Sequence, residues 1–363
     1  MRDPVALPLL ESSQAGEARR IAITLADRLG FNETERGKVG IVVTEVANNL
    51  IRHAKDGCLV LQTRTRNHNR ALEIRSDAIA PYAQTSAGIE ILALDKGPGM
   101  VNISECLRDG FSTAGTPGNG LGAIRRLSAL FDIYSVPNMG TALLAHLWAS
   151  PNQALQPNGK AVPEGGDSYL ELGVVCLPKP GEEVSGDAWA TEQQGDCSLL
   201  LVADGLGHGP LAAQASKEAV RIFRENVHKS PKEIVEAAHA ALRSTRGAAM
   251  AVAEVDFERR AVRFAGIGNI AGTILSPEAS YSMVSHNGTV GHEVRKIQEF
   301  VYQWPKGGLL VMHSDGLGTQ WRLDRYAGLA ARHPSLIAGV LYRDFNRGRD
   351  DVTVLVARED TLP

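Results

Sequence analysis

Twenty consecutive residues between Trp148 and Tyr169, ASPNQALQPNGKAVPEGGDS, carry neither a strand-like nor a helical apolar period, so the chain must divide there. Pro, Gly, Asn and Gln take the places that apolar residues would need to build a core. A chain of 363 residues also exceeds what one ordinary core organises. The expected organisation is a first domain over 10–148, a linker over 149–166 and a second domain over 167–358.

Upstream of the break, helical patterns at about 15–30 and 36–55 precede the strand-like runs LVLQTRT, ALEIRS and GIEILALD, which predicts a mixed α/β layer. Downstream, LELGVVCLP, CSLLLVAD, AAMAVAEVD, AVRFAGIG, GGLLVMHSD and DVTVLVA surround two helical stretches at roughly 209–226 and 231–245, so strands dominate. A formal net charge of −3 offers no basic surface for nucleic acid or anionic lipid. The opening MRDPVALPLLESSQ is broken by proline and too short for a signal-peptide core, and no later run is long enough to span a membrane. A cytoplasmic protein with protein and small-molecule partners is expected. Cys58, Cys106, Cys176 and Cys197 lack the spacing of a zinc site or a disulfide framework.

Two sets of residues carry chemistry. In ERGKVGIVVTEVANNLIRHA, Val39, Val42, Val43, Val46, Ala47, Leu50 and Ala54 form a helical apolar stripe, and Glu45 and Asn49 leave it together. An amide oxygen suits Mg²⁺ bearing phosphate, and a carboxylate one turn away suits a proton acceptor; taken alone, the pair is a solvated face. GIEILALDKGPGM delivers Asp95 to a turn with Gly97 and Gly99, where missing β-carbons admit a flat ligand and the carboxylate can accept from an exocyclic amine. TPGNGLGAIRRLSALF sets Gly118, Gly120, Leu121 and Gly122 at a helix start, a geometry that cradles phosphates.

The second set is Asp187 in EVSGDAWA, Asp204 in LLLVADGLGHG, Asp315 in LLVMHSDGLG and Asp350 in RGRDDVTVLVA, each at the end of an apolar strand. One such aspartate is a turn residue; four converging carboxylates need cations, and two Mg²⁺ or Mn²⁺ ions would supply a bridging hydroxide. Asp351 is the less favoured neighbour, His208 is as readily a surface residue as a site residue, and His313 reads as packing.

In the order ExxxNxxRHA, DxGPG, GNGLG and the YSVPNMGTALLAHL hairpin, residues 10–148 resemble the ATP-binding domain shared by histidine kinases, gyrase and anti-sigma-factor kinases. The match is nearest to RsbT-like switch kinases, including DGFST at 109–113. That resemblance implies an α/β sandwich binding ATP, with Asn49 on Mg²⁺, Glu45 as base, Asp95 reading adenine, and Gly97, Gly99, Gly118, Gly120, Leu121 and Gly122 lining the nucleotide. Residues 167–358 resemble SpoIIE-like and RsbX-like metal-dependent (type 2C) protein phosphatases through SGD, VADGLGHG, GIGN and HSDG. This second resemblance implies an α-β-β-α sandwich with Asp187, Asp204, the Gly205 carbonyl, Asp315 and Asp350 as ligands of Mg²⁺ or Mn²⁺. Ala190 stands where the wider family often carries a further acidic residue.

Together the resemblances imply a two-domain α/β (α+β) protein that phosphorylates and dephosphorylates serine or threonine of a partner. The implied partner is a STAS-domain antagonist of an anti-sigma or stressosome pathway, with a sigma factor or downstream signalling enzyme as further candidates. The alternative is an ATP-dependent anti-sigma-type binding module, without kinase turnover, fused to an active phosphatase.

Overall fold

The computed structural model describes residues 4–67, 85–108, 120–150 and 169–360. It forms two compact units, Met1–Glu164 and Gly165–Pro363. Among the described residues no helix is long and apolar enough to cross a membrane. The ALEIRS run and most of the expected linker lie outside the described residues.

The first unit runs β1 (Val5–Pro8), α1 (Ser12–Arg28), α2 (Glu33–His53), β2 (Cys58–Asn67), β3 (Thr85–Leu94), α3 (Ile103–Cys106), α4 (Gly120–Leu127), β4 (Leu130–Ser135) and β5 (Thr141–Trp148). The strands make one antiparallel sheet in the order β1-β2-β3-β5-β4. In α1 the buried residues Ala15, Ala18, Ala22, Leu25 and Ala26 recur at helical spacing, and in α2 Val39, Val42, Val43, Val46, Ala47 and Leu50 do the same. Both stripes share one core with Leu59, Leu61, Ile89, Ile91, Leu143 and Ala145 from alternate positions of the strands. The start of α2 is fixed by a capping box, in which Asn32 Oδ1 accepts the Glu35 N–H at 2.9 Å and Glu35 Oε2 accepts the Asn32 N–H at 2.9 Å.

The intervening strand positions are also buried, and they carry charge. Glu90 pairs directly with Gln62 on β2 and His146 on β5. It accepts hydrogen bonds from Gln62 Nε2, from Arg64 Nη2 at 2.7 Å and from His146 Nε2 at 2.7 Å. Burial alone would raise its pKa, but the Arg64 guanidinium and the His146 hydrogen bond hold it well below the usual carboxylate range.

The second unit runs β6 (Leu170–Leu177), β7 (Asp187–Gln194), β8 (Cys197–Gly205), α5 (Pro210–Glu225), α6 (Pro231–Ala241), β9 (Ala248–Asp256) and β10 (Ala261–Ile267). It continues through β11 (Ala271–Leu275), β12 (Ser280–Met283), β13 (Ser285–His286), β14 (Phe300–Gln303), β15 (Leu309–His313), α7 (Pro334–Phe345) and β16 (Val352–Glu359). One sheet has the order β13-β10-β9-β8-β7, with β14 also paired to β10, and the other has the order β12-β11-β15-β16-β6.

Period-two alternation makes the layers. Leu200 and Val202 of β8 and Ala251, Ala253 and Val255 of β9 meet Leu310, Met312 and Leu355 of the facing sheet. Their neighbours Leu199, Leu201, Met250 and Val252 pack under Ala219, Phe223, Ile234 and Ala238 of α5 and α6. With α7 against β6 and β16, the unit is an α-β-β-α sandwich, the expected architecture. Sequence periodicity located α5 and α6 but not α7, whose residues Pro334–Leu341 are all buried.

Candidate functional site

In the first unit the α2 residues Glu45 and Asn49 face the start of α4. A β-carbon built on Gly120 would stand 2.7 Å from Glu45 Oε2 and 3.8 Å from Asn49 Oδ1, so the missing side chain lets the α4 backbone approach both. Asn49 Nδ2 is buried without a hydrogen-bond partner. A buried orphan donor at this place is what a ligand oxygen would satisfy. Arg52 and His53, in the last turn of α2, are exposed.

Asp95 follows β3 and is 9% exposed. Its Oδ1 accepts the Gly97 N–H at 2.6 Å, and its own N–H is donated to the Thr141 carbonyl at 2.9 Å, which fixes the turn. Gly99 has φ +67° and lies so close to Val136 that a β-carbon would sit 2.1 Å from its carbonyl oxygen. Gly97 backs onto the C-terminus of α2, where a β-carbon would stand 2.9 Å from the His53 carbonyl oxygen. In α4, Gly122 is buried and Leu121 packs at the edge of the core. The unit thus brings Glu45, Asn49 and Gly120 together beside α2, with Asp95, Gly97 and Gly99 on the turn after β3. Gly118 and the DGFST segment lie outside the described residues.

The second unit assembles its carboxylates through strand pairing. Asp187 opens β7 and Asp204 nears the end of β8, and the two are direct cross-strand partners. Such partners have Cα atoms roughly 4.5–5.5 Å apart. Asp315 stands two residues beyond β15, next to Ser314, whose Oγ donates to Asp187 Oδ2 at 2.6 Å and accepts the Thr353 N–H at 2.9 Å. Asn269 Nδ2 donates to the other side of the group, at Asp315 Oδ2, 2.6 Å away. Asp350 Oδ1 accepts the Asp351 N–H at 3.0 Å, and Asp351 Oδ1 accepts the Lys179 N–H at 2.8 Å.

Glycines make the close approaches possible. A β-carbon on Gly186 would lie 2.6 Å from Asp351 Oδ2, one on Gly205 would lie 2.0 Å from the Ala212 carbonyl oxygen, and one on Gly316 would lie 2.0 Å from the Asp351 carbonyl oxygen.

These carboxylates have no ion-pair partner among the described residues. Burial raises Asp187, against the opposing Ser314 hydrogen bond, and Asp351 and Asp315 add to the rise. Asp204 is raised by burial and then by Asp187, Asp315, Asp350 and Asp351. Asp187 Oδ1 is buried and makes no well-formed hydrogen bond. Among the described residues no three His, Cys, Asp or Glu side chains close into a ready-made coordination shell. The donor chemistry nevertheless suits hard divalent cations, which take carboxylate and carbonyl oxygens.

Both halves match known families. Residues 9–145 match the Histidine kinase-like ATPase domain, and residues 194–360 match Stage II sporulation protein E (SpoIIE). The chain joins a histidine kinase-like ATPase domain to a SpoIIE-type phosphatase domain. Phosphoserine phosphatase RsbX of Bacillus subtilis (strain 168) is 25% identical over 152 residues, covering 42% of this chain and 76% of RsbX. Serine/threonine-protein kinase RsbT of the same organism is 28% identical over 148 residues, covering 41% of this chain and 98% of RsbT. A crystal structure of RsbX in complex with magnesium is 22% identical over 53% of this chain and 96% of its own, with a TM-score of 0.48.

Sequence reasoning passed over Ser314 and Asn269 of the SpoIIE-type unit. Asp351, set below Asp350 in the sequence reading, is the more buried of the two at 3% exposure. Ser314 and Asn269 hold Asp187 and Asp315, and their only signals were adjacency to Asp315 and membership of GIGN. His208 is exposed and pairs with Glu182 Oε1 at 2.7 Å. His313 is buried, accepts the Trp321 Nε1–H at 3.2 Å and contacts the Ser314 carbonyl through Nδ1 at 2.8 Å, so it packs as a neutral ring. Burial holds its pKa down. Ala190 is fully buried under the α5–α6 layer.

Proposed function

We propose that the chain is a bifunctional cytoplasmic regulator that phosphorylates serine or threonine of a partner protein through its ATPase unit and removes that class of phosphate through its SpoIIE-type unit. The observation that carries the phosphatase half is the direct pairing of Asp187 with Asp204. Both carboxyls are raised, they lack any cationic partner, and one buried oxygen is unsatisfied.

Asp187, Asp204, the Gly205 carbonyl, Asp315 and Asp350 would hold Mg²⁺ or Mn²⁺, with Asp351 supporting them from Gly186 and Lys179. Bound there, the cations supply charge neutralisation and an activated water at neutral pH. Ser314 keeps Asp187 turned by donating to Oδ2, and Asn269 keeps Asp315 turned by donating to its Oδ2. Ala212, at the start of α5, packs its backbone against Gly205.

In the ATPase unit, Asn49 would supply its amide oxygen to nucleotide-bound Mg²⁺ and Asp95 would accept from the adenine amine. Gly97, Gly99, Gly118, Gly120, Leu121 and Gly122 would line the nucleotide. Glu45, one turn from Asn49 and against the α4 backbone, would accept the proton of an attacking hydroxyl. That placement favours kinase turnover over an ATP-dependent binding module. The named relatives, a phosphoserine phosphatase and a serine/threonine-protein kinase, support opposed activities on one phosphoprotein. The substrate we favour is a STAS-domain antagonist, with a sigma factor or downstream signalling enzyme as its client.

The test is direct. Purified protein with ATP, Mg²⁺ and a STAS protein is expected to add one phosphate, read by mass spectrometry. The same protein with Mn²⁺ is expected to release phosphate from phosphoserine, and Asp204→Asn to abolish that release. ATP binding with no phosphate added would reduce the first unit to a binding module; full hydrolysis by Asp204→Asn would remove the metal assignment.

A further inference from the structure

The chain between β13 and β14 forms a loop bordering a half-open pocket of about 490 Å³, lined by His286, Thr289, Glu293, Arg295 and Lys296 among others. A cavity of this size holds a side chain or a short peptide segment. The loop is closed by a bridge between Gly288 and Val294 and by a hydrogen bond from the Thr289 N–H to the Glu293 carbonyl at 2.8 Å. Gly288 has φ +148°, inside the range that favours glycine.

Two basic side chains lie in this lining. Arg221, Arg260, Arg263 and Arg343 are each paired with a carboxylate. Arg295 and Lys296 are exposed, and neither side chain has a hydrogen-bond or ion-pair partner among the described residues. Two cations against Glu293 leave the lining positive. Among the lining residues, the His286 ring is held against Phe300 with centroids 5.7 Å apart. Two cations without partners in one lining mark a place for an acceptor-bearing ligand.

The pocket is fastened to the carboxylate cluster on two sides. The Gly268 N–H donates to the His286 carbonyl at 2.8 Å, and the next residue, Asn269, is the one that holds Asp315. On the other side Val290 and Ala248 exchange backbone hydrogen bonds of 3.0 and 2.9 Å. Ala248 is in turn the strand partner of Gly205, which follows Asp204. A polypeptide extends roughly 3.3 Å per residue, so a phosphoresidue at the cluster leaves its near neighbours within reach of this loop. An extended polyanion is disfavoured by the adjoining carboxylates, whereas one discrete anion is not.

We infer that this pocket binds an oxyanion-bearing side chain, carboxylate or phosphate, that flanks the scissile phosphoresidue on the polypeptide substrate. Arg295 and Lys296 determine specificity and lie apart from the hydrolytic residues. The inference rests on the phosphatase reading of this unit and adds the sequence context of the substrate.

The experiment uses the full chain and the double variant R295A/K296A, both side chains being exposed. Three phosphoserine peptides differ only in a flanking Glu, Ala or second phosphoserine, and p-nitrophenyl phosphate serves as a substrate too small to reach the pocket. With Mn²⁺ the variant should lose at least about tenfold in kcat/KM on the two anionic peptides, mainly through KM, and keep its rates on the Ala peptide and on p-nitrophenyl phosphate. A loss confined to the doubly phosphorylated peptide assigns the pocket to phosphate; a loss on both assigns it to oxyanions generally. Equal losses on all four substrates, or none on the anionic peptides, overturn the inference. Fluorescence anisotropy with the labelled Glu peptide separates the two claims. Binding that needs Arg295 and Lys296 in a protein with no hydrolytic activity would keep the pocket and remove the phosphatase reading.

Discussion

Asp204→Asn is expected to stabilise the metal-free protein while cancelling its response to Mg²⁺ or Mn²⁺. In the wild type, burial and the surrounding aspartates push the Asp204 carboxyl up to about 9, and burial pushes Asp187 up to about 7. A carboxyl that holds its proton more tightly when folded contributes stability fully below its unfolded value, about pH 4, and loses that contribution as pH rises through the folded value. The metal-free unit therefore weakens between about pH 4 and the range from about 7 to about 9.

Every pH unit in that interval is worth at most about 1.4 kcal/mol for each carboxyl. Local relaxation and water entry reduce the total, and about 2 kcal/mol is a working value. For a unit of this size that is roughly 4–8 °C in Tm. Cations at a hundredfold excess over Kd add about 2.7 kcal/mol, or roughly 5–10 °C. Tryptophan fluorescence isolates this unit well, because Trp189, Trp304 and Trp321 belong to it and only Trp148 belongs to the other. Melts with chelator or with Mn²⁺, at pH 5.5 and pH 8, give the needed set. A lower metal-free Tm for Asp204→Asn at pH 8, or an undiminished rise with Mn²⁺, would refute the reasoning.

Ser314→Ala removes the hydroxyl that donates to Asp187 Oδ2, and should cost about 1–3 kcal/mol and weaken Mn²⁺ binding roughly 10–100-fold by calorimetric titration. Gly99→Ala forces a β-carbon toward the Val136 carbonyl at φ +67°; fluorescent ATP analogues should no longer bind, with phosphoserine hydrolysis retained. Glu45→Ala should keep ATP affinity yet slow phosphate transfer by about 100-fold or more, whereas Asn49→Ala should lose the Mg²⁺-dependent part of ATP binding itself. Because Glu90 is held low by Arg64 and His146, its stabilisation is present above the ordinary glutamate value and disappears as pH falls. Arg64→Ala should cost about 3–5 kcal/mol at pH 7, and much less in an acid titration followed by circular dichroism.

The sequence was legible wherever one face of an element is buried and the other is not. The α2 stripe of Val39, Val43, Val46 and Leu50 announces a helix and so locates Glu45 and Asn49 on its other face. The apolar runs ending in Asp204 and Asp315 likewise announce strands that terminate at a site. Where burial surrounds an element the signal disappears: Pro334–Leu341 of α7 is buried on all sides and shows no helical period. Contacts between distant segments are also invisible to periodicity. Ser314 reaches Asp187 across 127 positions of sequence, and Lys179 meets Asp351 across 172. The basic pocket escaped notice for the same reason, since Arg295 and Lys296 are ordinary surface residues until the loop folds around them.

The hairpin that joins β7 to β8 turns at Gly195, which has φ +56°, between the paired residues Gln194 and Cys197. Counting from that pair, Asp187 and Asp204 lie the same number of steps along their strands, so the turn sets which carboxylate faces which. Adding or deleting one residue at the tip would displace one carboxylate by roughly 3.3 Å and turn it to the opposite side of the sheet. A solvent-facing bend remote from the carboxylates thereby acts as the ruler for the proposed hydrolytic centre, and length changes there should be as damaging as loss of Asp187 or Asp204.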